Sequence, residues 1–117
     1  MTYGIDRGSR TDSRQRRNAQ TNPLPYRPTP SKTAAYRAAY YDMVLCDPSG
    51  AGFTVSLPPA TDRTGAWIGV KNTTSSANTI TLDADGTETI DGAGTYAIST
   101  AYRSVTVFSD GANWHVI

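Results

Sequence analysis

Several things this sequence has little of already narrow what it can be. It holds one cysteine, Cys46, so no disulfide can form within the chain. Apolar residues make up 38% of its 117 positions. An average globular chain has roughly 45–50%, glycine included, so a large buried core is not expected. No apolar run approaches the ~18 residues of a membrane span, and residues 1–10 lack the apolar stretch of a secretory signal. At this length one domain is expected, since domains run to roughly 100–200 residues. These shortages argue against a membrane-spanning protein, a disulfide-stapled miniprotein and a large multidomain enzyme.

Net charge is also small, at +1, but it hides an asymmetry. Residues 1–40 carry eight bases (Arg7, Arg10, Arg14, Arg16, Arg17, Arg27, Lys32 and Arg37) against two acids, a net of +6. Residues 41–117 carry three bases against eight acids, a net of −5. A basic arm and an acidic body are chemically different objects.

From Gly4 to Gln20 the only apolar residues are Ile5 and Ala19, too few to offset the entropy of ordering the segment. Pro23, Pro25, Pro28 and Pro30 follow in close succession, around Tyr26 and Arg27. Prolines at that density favour extended polyproline backbone and forbid helix. Residues 33–41, with alanines between Tyr36 and Tyr40, could form a turn or two of helix, marginal without packing. The division expected is an extended basic arm over 1–40 and a folded domain over 41–117.

From Tyr41 onward the hydrophobic period becomes two. Phe53, Val55 and Leu57 alternate with Thr54 and Ser56; Ile68 with Val70; Ile80 with Leu82; Tyr96 with Ile98; Val105 with Val107; Trp114 with Val116. Short runs rich in β-branched and aromatic residues are the strand signature. Between them lie turn pairs, among them Asp85-Gly86, Asp91-Gly92 and Asp110-Gly111. Both central residues of such a pair tolerate positive φ. The expected fold is all-β, a small antiparallel sandwich or barrel-like knob. A body of 77 residues without disulfide or metal cluster usually needs extra fastening. Self-association would supply it, with Trp67, Tyr96, Tyr102 and Trp114 as candidates for interface or core.

Residues suited to catalysis are sparse. His115, the one histidine, sits in an alternating run beside Trp114 and reads as a surface or packing residue. Cys46 has no histidine near it in sequence and reads as a small buried hydrophobe. Asp83, Asp85, Glu88 and Asp91 are close together, as paired glycosidase carboxylates must be in space, but turns supply the same acids without chemistry. Asp83-Ala84-Asp85-Gly86 looks like the start of a calcium loop, yet the spacing of a helix–loop–helix site is missing and a hairpin turn explains it better. No cofactor and no enzymatic activity are expected.

The ordered pieces Phe53-Thr-Val-Ser-Leu57-Pro58, Gly65-Ala-Trp-Ile-Gly-Val70-Lys71-Asn72-Thr73, Asn78-Thr-Ile-Thr-Leu82, Glu88-Thr-Ile-Asp91-Gly92 and Ser109-Asp110-Gly111-Ala-Asn113-Trp114-His-Val-Ile117 lie in the stretch from Tyr41 to Ile117, about two thirds of the chain. Together they resemble the small β domain of bacteriophage head-fibre, capsid-decoration (cement) and tail-fibre proteins. The resemblance implies a homotrimeric structural module without catalytic residues, made in the host cytoplasm and carried on the exterior of a virion. A short arm with one knob fits a head fibre or cement protein better than a tail fibre. The arm, through Arg7, Arg10, Arg14, Arg16, Arg17, Pro23, Pro25, Tyr26 and Arg27, would then grip the major capsid protein of the shell. An extended arm lying in a groove or adding a strand to an exposed edge is a common way to do so. A tail-fibre or baseplate module recognising host-surface glycan is the alternative. Nucleic acid is disfavoured, because the arm lacks interleaved aromatics and the acidic body repels phosphate.

Overall fold

A computed structural model describes residues 27–117. The arm positions Arg7, Arg10, Arg14, Arg16, Arg17, Pro23, Pro25 and Tyr26 lie outside the described residues.

Every alternating run picked out above forms a strand. In chain order the strands are β1 (Arg27–Pro28), β2 (Tyr36–Arg37), β3 (Asp42–Cys46), β4 (Phe53–Ser56), β5 (Trp67–Asn72), β6 (Ile80–Asp83), β7 (Thr95–Ile98), β8 (Ser104–Ser109) and β9 (Trp114–Val116). One 3-10 turn, Ala60–Asp62, links β4 to β5, and no α-helix occurs among the described residues. Two sheets result: sheet A, in the order β1-β3-β5-β8-β9, and sheet B, in the order β2-β4-β6-β7.

The all-β expectation holds, and the antiparallel expectation does not. Pairs β1–β3, β3–β5, β2–β4 and β4–β6 are parallel. Only β5–β8, β6–β7 and β8–β9 are antiparallel. The first six strands alternate between the sheets, so the chain winds as a coil. One circuit carries Met43 to Gly69 in sheet A and Phe53 to Ile80 in sheet B. Parallel neighbours need a crossover, commonly a helix; here each crossover is a strand of the opposite sheet. Hairpins β6–β7 and β8–β9 end the coil. At Asp91-Gly92 both φ angles are positive (50° and 86°), and Ile90 and Ala93 bridge across the turn, as the Asp-Gly signal predicts.

The helical turn expected over 33–41 is absent, and so is an arm detached up to residue 40. Arg27 N–H donates to Tyr41 O and Thr29 N–H to Met43 O, both at 3.0 Å, while Ala38 N–H donates to Ser56 O at 2.9 Å. Ala38 belongs to the core, with Tyr36 and Tyr40 packed against it. Alternation of Tyr36, Ala38 and Tyr40 toward the body outweighs the helix propensity of the alanines, because burial stabilises more than propensity does.

The core lies between the sheets. Val44, Val55, Leu57, Ile68, Val70, Ile80, Leu82, Val107 and Trp114 are fully buried. Asn72 is also fully buried, and its amide is satisfied: Nδ2 donates to Ser76 O (2.8 Å) and Thr100 O (3.2 Å), and Oδ1 accepts from Thr74 N–H (2.9 Å). A buried polar group without partners would be costly; this one instead pins two loops.

Candidate interaction surface

Side chains on a strand alternate between faces, so the strands that fill the core also present an outer row on sheet A. Trp67 stands opposite Phe108, and Phe108 opposite His115. Tyr41 meets Trp67 edge-on, with ring centroids 5.2 Å apart, and Phe108 lies 5.5 Å from His115 at a tilt. Four half-buried rings therefore run across the sheet. Half-buried Met43 and Leu45 extend the surface toward β1, and Lys71 is the charge beside Leu45. Three of the four rings are apolar or amphipathic aromatics, so the row is a half-buried aromatic strip on the outer face of sheet A.

Its far end is fixed by carboxylates. His115 Nε2 lies 2.7 Å from Asp110 Oδ2, and Nδ1 lies 3.8 Å from Asp91 Oδ1. Backbone N–H from Asn113, then the His115 ring, then backbone N–H from Ala112 hold the Asp110 carboxyl down at about 2. Asp91 Oδ1 also accepts Val116 N–H at 3.1 Å. Both ring nitrogens face acids, so no nucleophile shares a hydrogen bond with this histidine. It acts as a clasp on β9.

The other chemical candidates have structural partners. Cys46 is buried, and desolvation pushes its thiol up to about 12, far from a reactive thiolate. Asp85 faces Arg37 at 3.7 Å. Glu88 caps the 3-10 turn, accepting Ala60 N–H at 2.8 Å. Asp83 ends β6 exposed. Among the described residues, no three His, Cys, Asp or Glu side chains converge as a metal site would require.

The four aromatics expected at an interface or core are dispersed. Trp114 is fully buried, and its Nε1 donates to Pro58 O at 3.2 Å, so it belongs to the core alone. Trp67 is on the outer row of sheet A. Tyr96 packs against the core from β7. Tyr102 is 58% exposed, with positive φ, and Lys71 Nζ donates to its carbonyl. Arg27, the last arm residue, is exposed on β1, with its guanidinium donating to Tyr40 O.

Sequence reasoning missed β3 and Asp42. The buried Asp42 carboxylate accepts Ala39 N–H (2.9 Å) and Tyr36 O–H (3.1 Å), fastening β2 to β3. Burial, then the bond to Asp42, raises the Tyr36 phenol above its ordinary value. The signal available was Asp42-Met-Val-Leu-Cys46, an apolar run too short to assign by period alone. No family model matches the chain, and no curated protein matches it.

Proposed function

We propose that this chain is a non-enzymatic structural protein of a phage virion, a capsid-decoration (cement) or head-fibre protein that self-associates on the shell. Its basic N-terminal segment grips the major capsid protein, and the β body is displayed outward. The observation that carries the reading is where that segment joins the body. Residues 1–26 hold five arginines against two aspartates and lead directly into β1, an edge strand of sheet A among the described residues. Pro28 on that edge pairs with Met43, beside the apolar outer row. A segment leaving there can lie along a partner in an extended form while the body keeps its fold. Arginine forks suit acidic patches on such a partner.

Counting peptides of this chain in purified particles tests the reading. Hundreds of copies per particle are expected, falling to background for a chain that starts at Arg27. Absence of the chain from particles, or full occupancy without residues 1–26, would overturn it. A receptor-binding role is the second reading, favoured by exposed Tyr102 beside Lys71, a geometry able to stack on a sugar. A handful of copies per particle would select it.

A further inference from the structure

The outer aromatic row of sheet A has a different chemistry at each end. At one end is β1, where the chain enters the described fold: Arg27 stands beside Asp42, and its N–H donates to Tyr41 O. The chain therefore arrives at the level of Tyr41, the first ring of the row. From there the row crosses β5 and β8 to His115 on β9. At that far end Asp110 and Asp91 flank the imidazole, with side chains 41% and 50% exposed. Sheet B packs on the inner face of sheet A, and no described strand lies over the outer one.

Length and charge select what fits this strip. Four strand spacings of about 4.8 Å separate β1 from β9, or about 19 Å. Residues 18–26, extended at about 3.1 Å each, reach about 28 Å, enough to turn at β1 and cross the sheet. Leu24 and Tyr26 would then fall nearest the Tyr41 end of the row, and Arg14, Arg16 and Arg17 nearest the acids. Residues 1–26 carry a net +3, five arginines against two aspartates; residues 27–117 carry six bases against eight acids, a net −2. Lys71, the cation of this face, lies four residues along β5 from Trp67, about 13 Å away from the row. A second copy is the poorer occupant. Five strands with three outward residues each present roughly 300–500 Å². Two such faces would bury less than the ~1,200 Å² of a standard interface, and would bring acids to acids.

We propose that residues 14–26 fold back across the outer face of sheet A of their own chain, with Leu24 and Tyr26 on the Tyr41 and Trp67 rings and the arginines at Asp91 and Asp110. Guanidinium forks suit the two carboxylates, whose oxygens accept more than one hydrogen bond each. The strap hides an aromatic strip that would otherwise invite non-specific association of the free chain. A partner that takes the same arginines would lift the strap and uncover the strip beside β1. The proposal concerns the free chain and does not rest on a virion role; copy counts on particles test that role separately.

The test uses the full chain throughout. A nitroxide placed at Asn18→Cys should broaden the amide signals of Ala112, Asn113 and His115 and spare those of β7 in sheet B; Cys46 is buried and does not compete for the label. Mixing labelled chains with unlabelled, isotopically enriched ones should leave the enriched signals sharp. Arg16→Glu combined with Arg17→Glu should abolish the broadening, with an unchanged far-ultraviolet spectrum. It should also raise acrylamide quenching about twofold, as the population shifts to chains with the strap released. That rise reports on Trp67, because Trp114 is fully buried. About 1 M salt, where the screening length falls to about 3 Å, should release the wild-type strap in the same way. Broadening that is absent or uniform over the body would overturn the proposal, as would quenching indifferent to both the charge reversal and salt. Broadening carried to the enriched chains of the mixture would also overturn it, because the segment would then lie on a second copy.

Discussion

At the scale of single residues, the fold depends on a few buried groups with unequal roles. Trp114 fills the centre and satisfies Pro58 O through its indole N–H. Trp114→Ala leaves a large cavity and an unpaired carbonyl, so a loss of about 3–5 kcal/mol is expected in urea unfolding. Asp110 tests the clasp on β9. Its folded carboxyl sits at about 2, below the ordinary 3.8. Stability from a depressed acid is fully present above the unfolded value and is lost as pH falls through the folded one. The advantage of wild type over Asp110→Asn should therefore be constant above about pH 4, shrink between 4 and 2, and be gone below that; urea midpoints at pH 5 and pH 2 measure it. An advantage undiminished at pH 2 would place the carboxylate's role elsewhere. Trp114 was legible in the sequence as a core or interface residue. Asp42 and Asn72 were not, because their partners come from other strands and loops.

At the scale of elements, the parallel pairs are the part to probe. Gly52 precedes β4, where a Cβ would sit 2.3 Å from Thr79 O, the acceptor for Phe53 N–H. Gly52→Ala must push β4 from β6 and should cost about 1–3 kcal/mol, read from the urea midpoint. Gly50→Ala meets nothing within 4 Å and serves as the control, with an expected change within about 0.5 kcal/mol. The runs at 53–57, 80–82 and 105–107 announced themselves as strands through their alternation. Alternation carries no information on direction, because parallel and antiparallel strands both expose every second side chain. Hairpin turns at Asp91-Gly92 and Asp110-Gly111 suggested antiparallel neighbours throughout, yet they govern only the last strands of the coil.

At the scale of the whole molecule, the described fold begins earlier in the chain than charge alone suggests. Residues 27–40 contribute β1, β2 and the buried Ala38, so they belong to the fold although they carry three of the bases of the charge-defined arm. A chain starting at Arg27 should melt within a few degrees of the full protein. One starting at Tyr41 loses Ala38 and the packing of Tyr36 and Tyr40, and should melt more than about 10 °C lower, since 1 kcal/mol shifts a domain of this size by about 4–8 °C. Circular dichroism melts of the three chains check this. Equal melting of all three would mean that the first two strands contribute little.

The sequence by itself determined which residues are strand, where the tight turns fall and which large side chains seek burial, because period-two alternation and Asp-Gly pairs are local signals. Only the tertiary structure decided strand direction, the inclusion of residues 27–40 and the outer aromatic row of sheet A. Each of those depends on which strand lies beside which, and that is set by burial against residues distant in sequence.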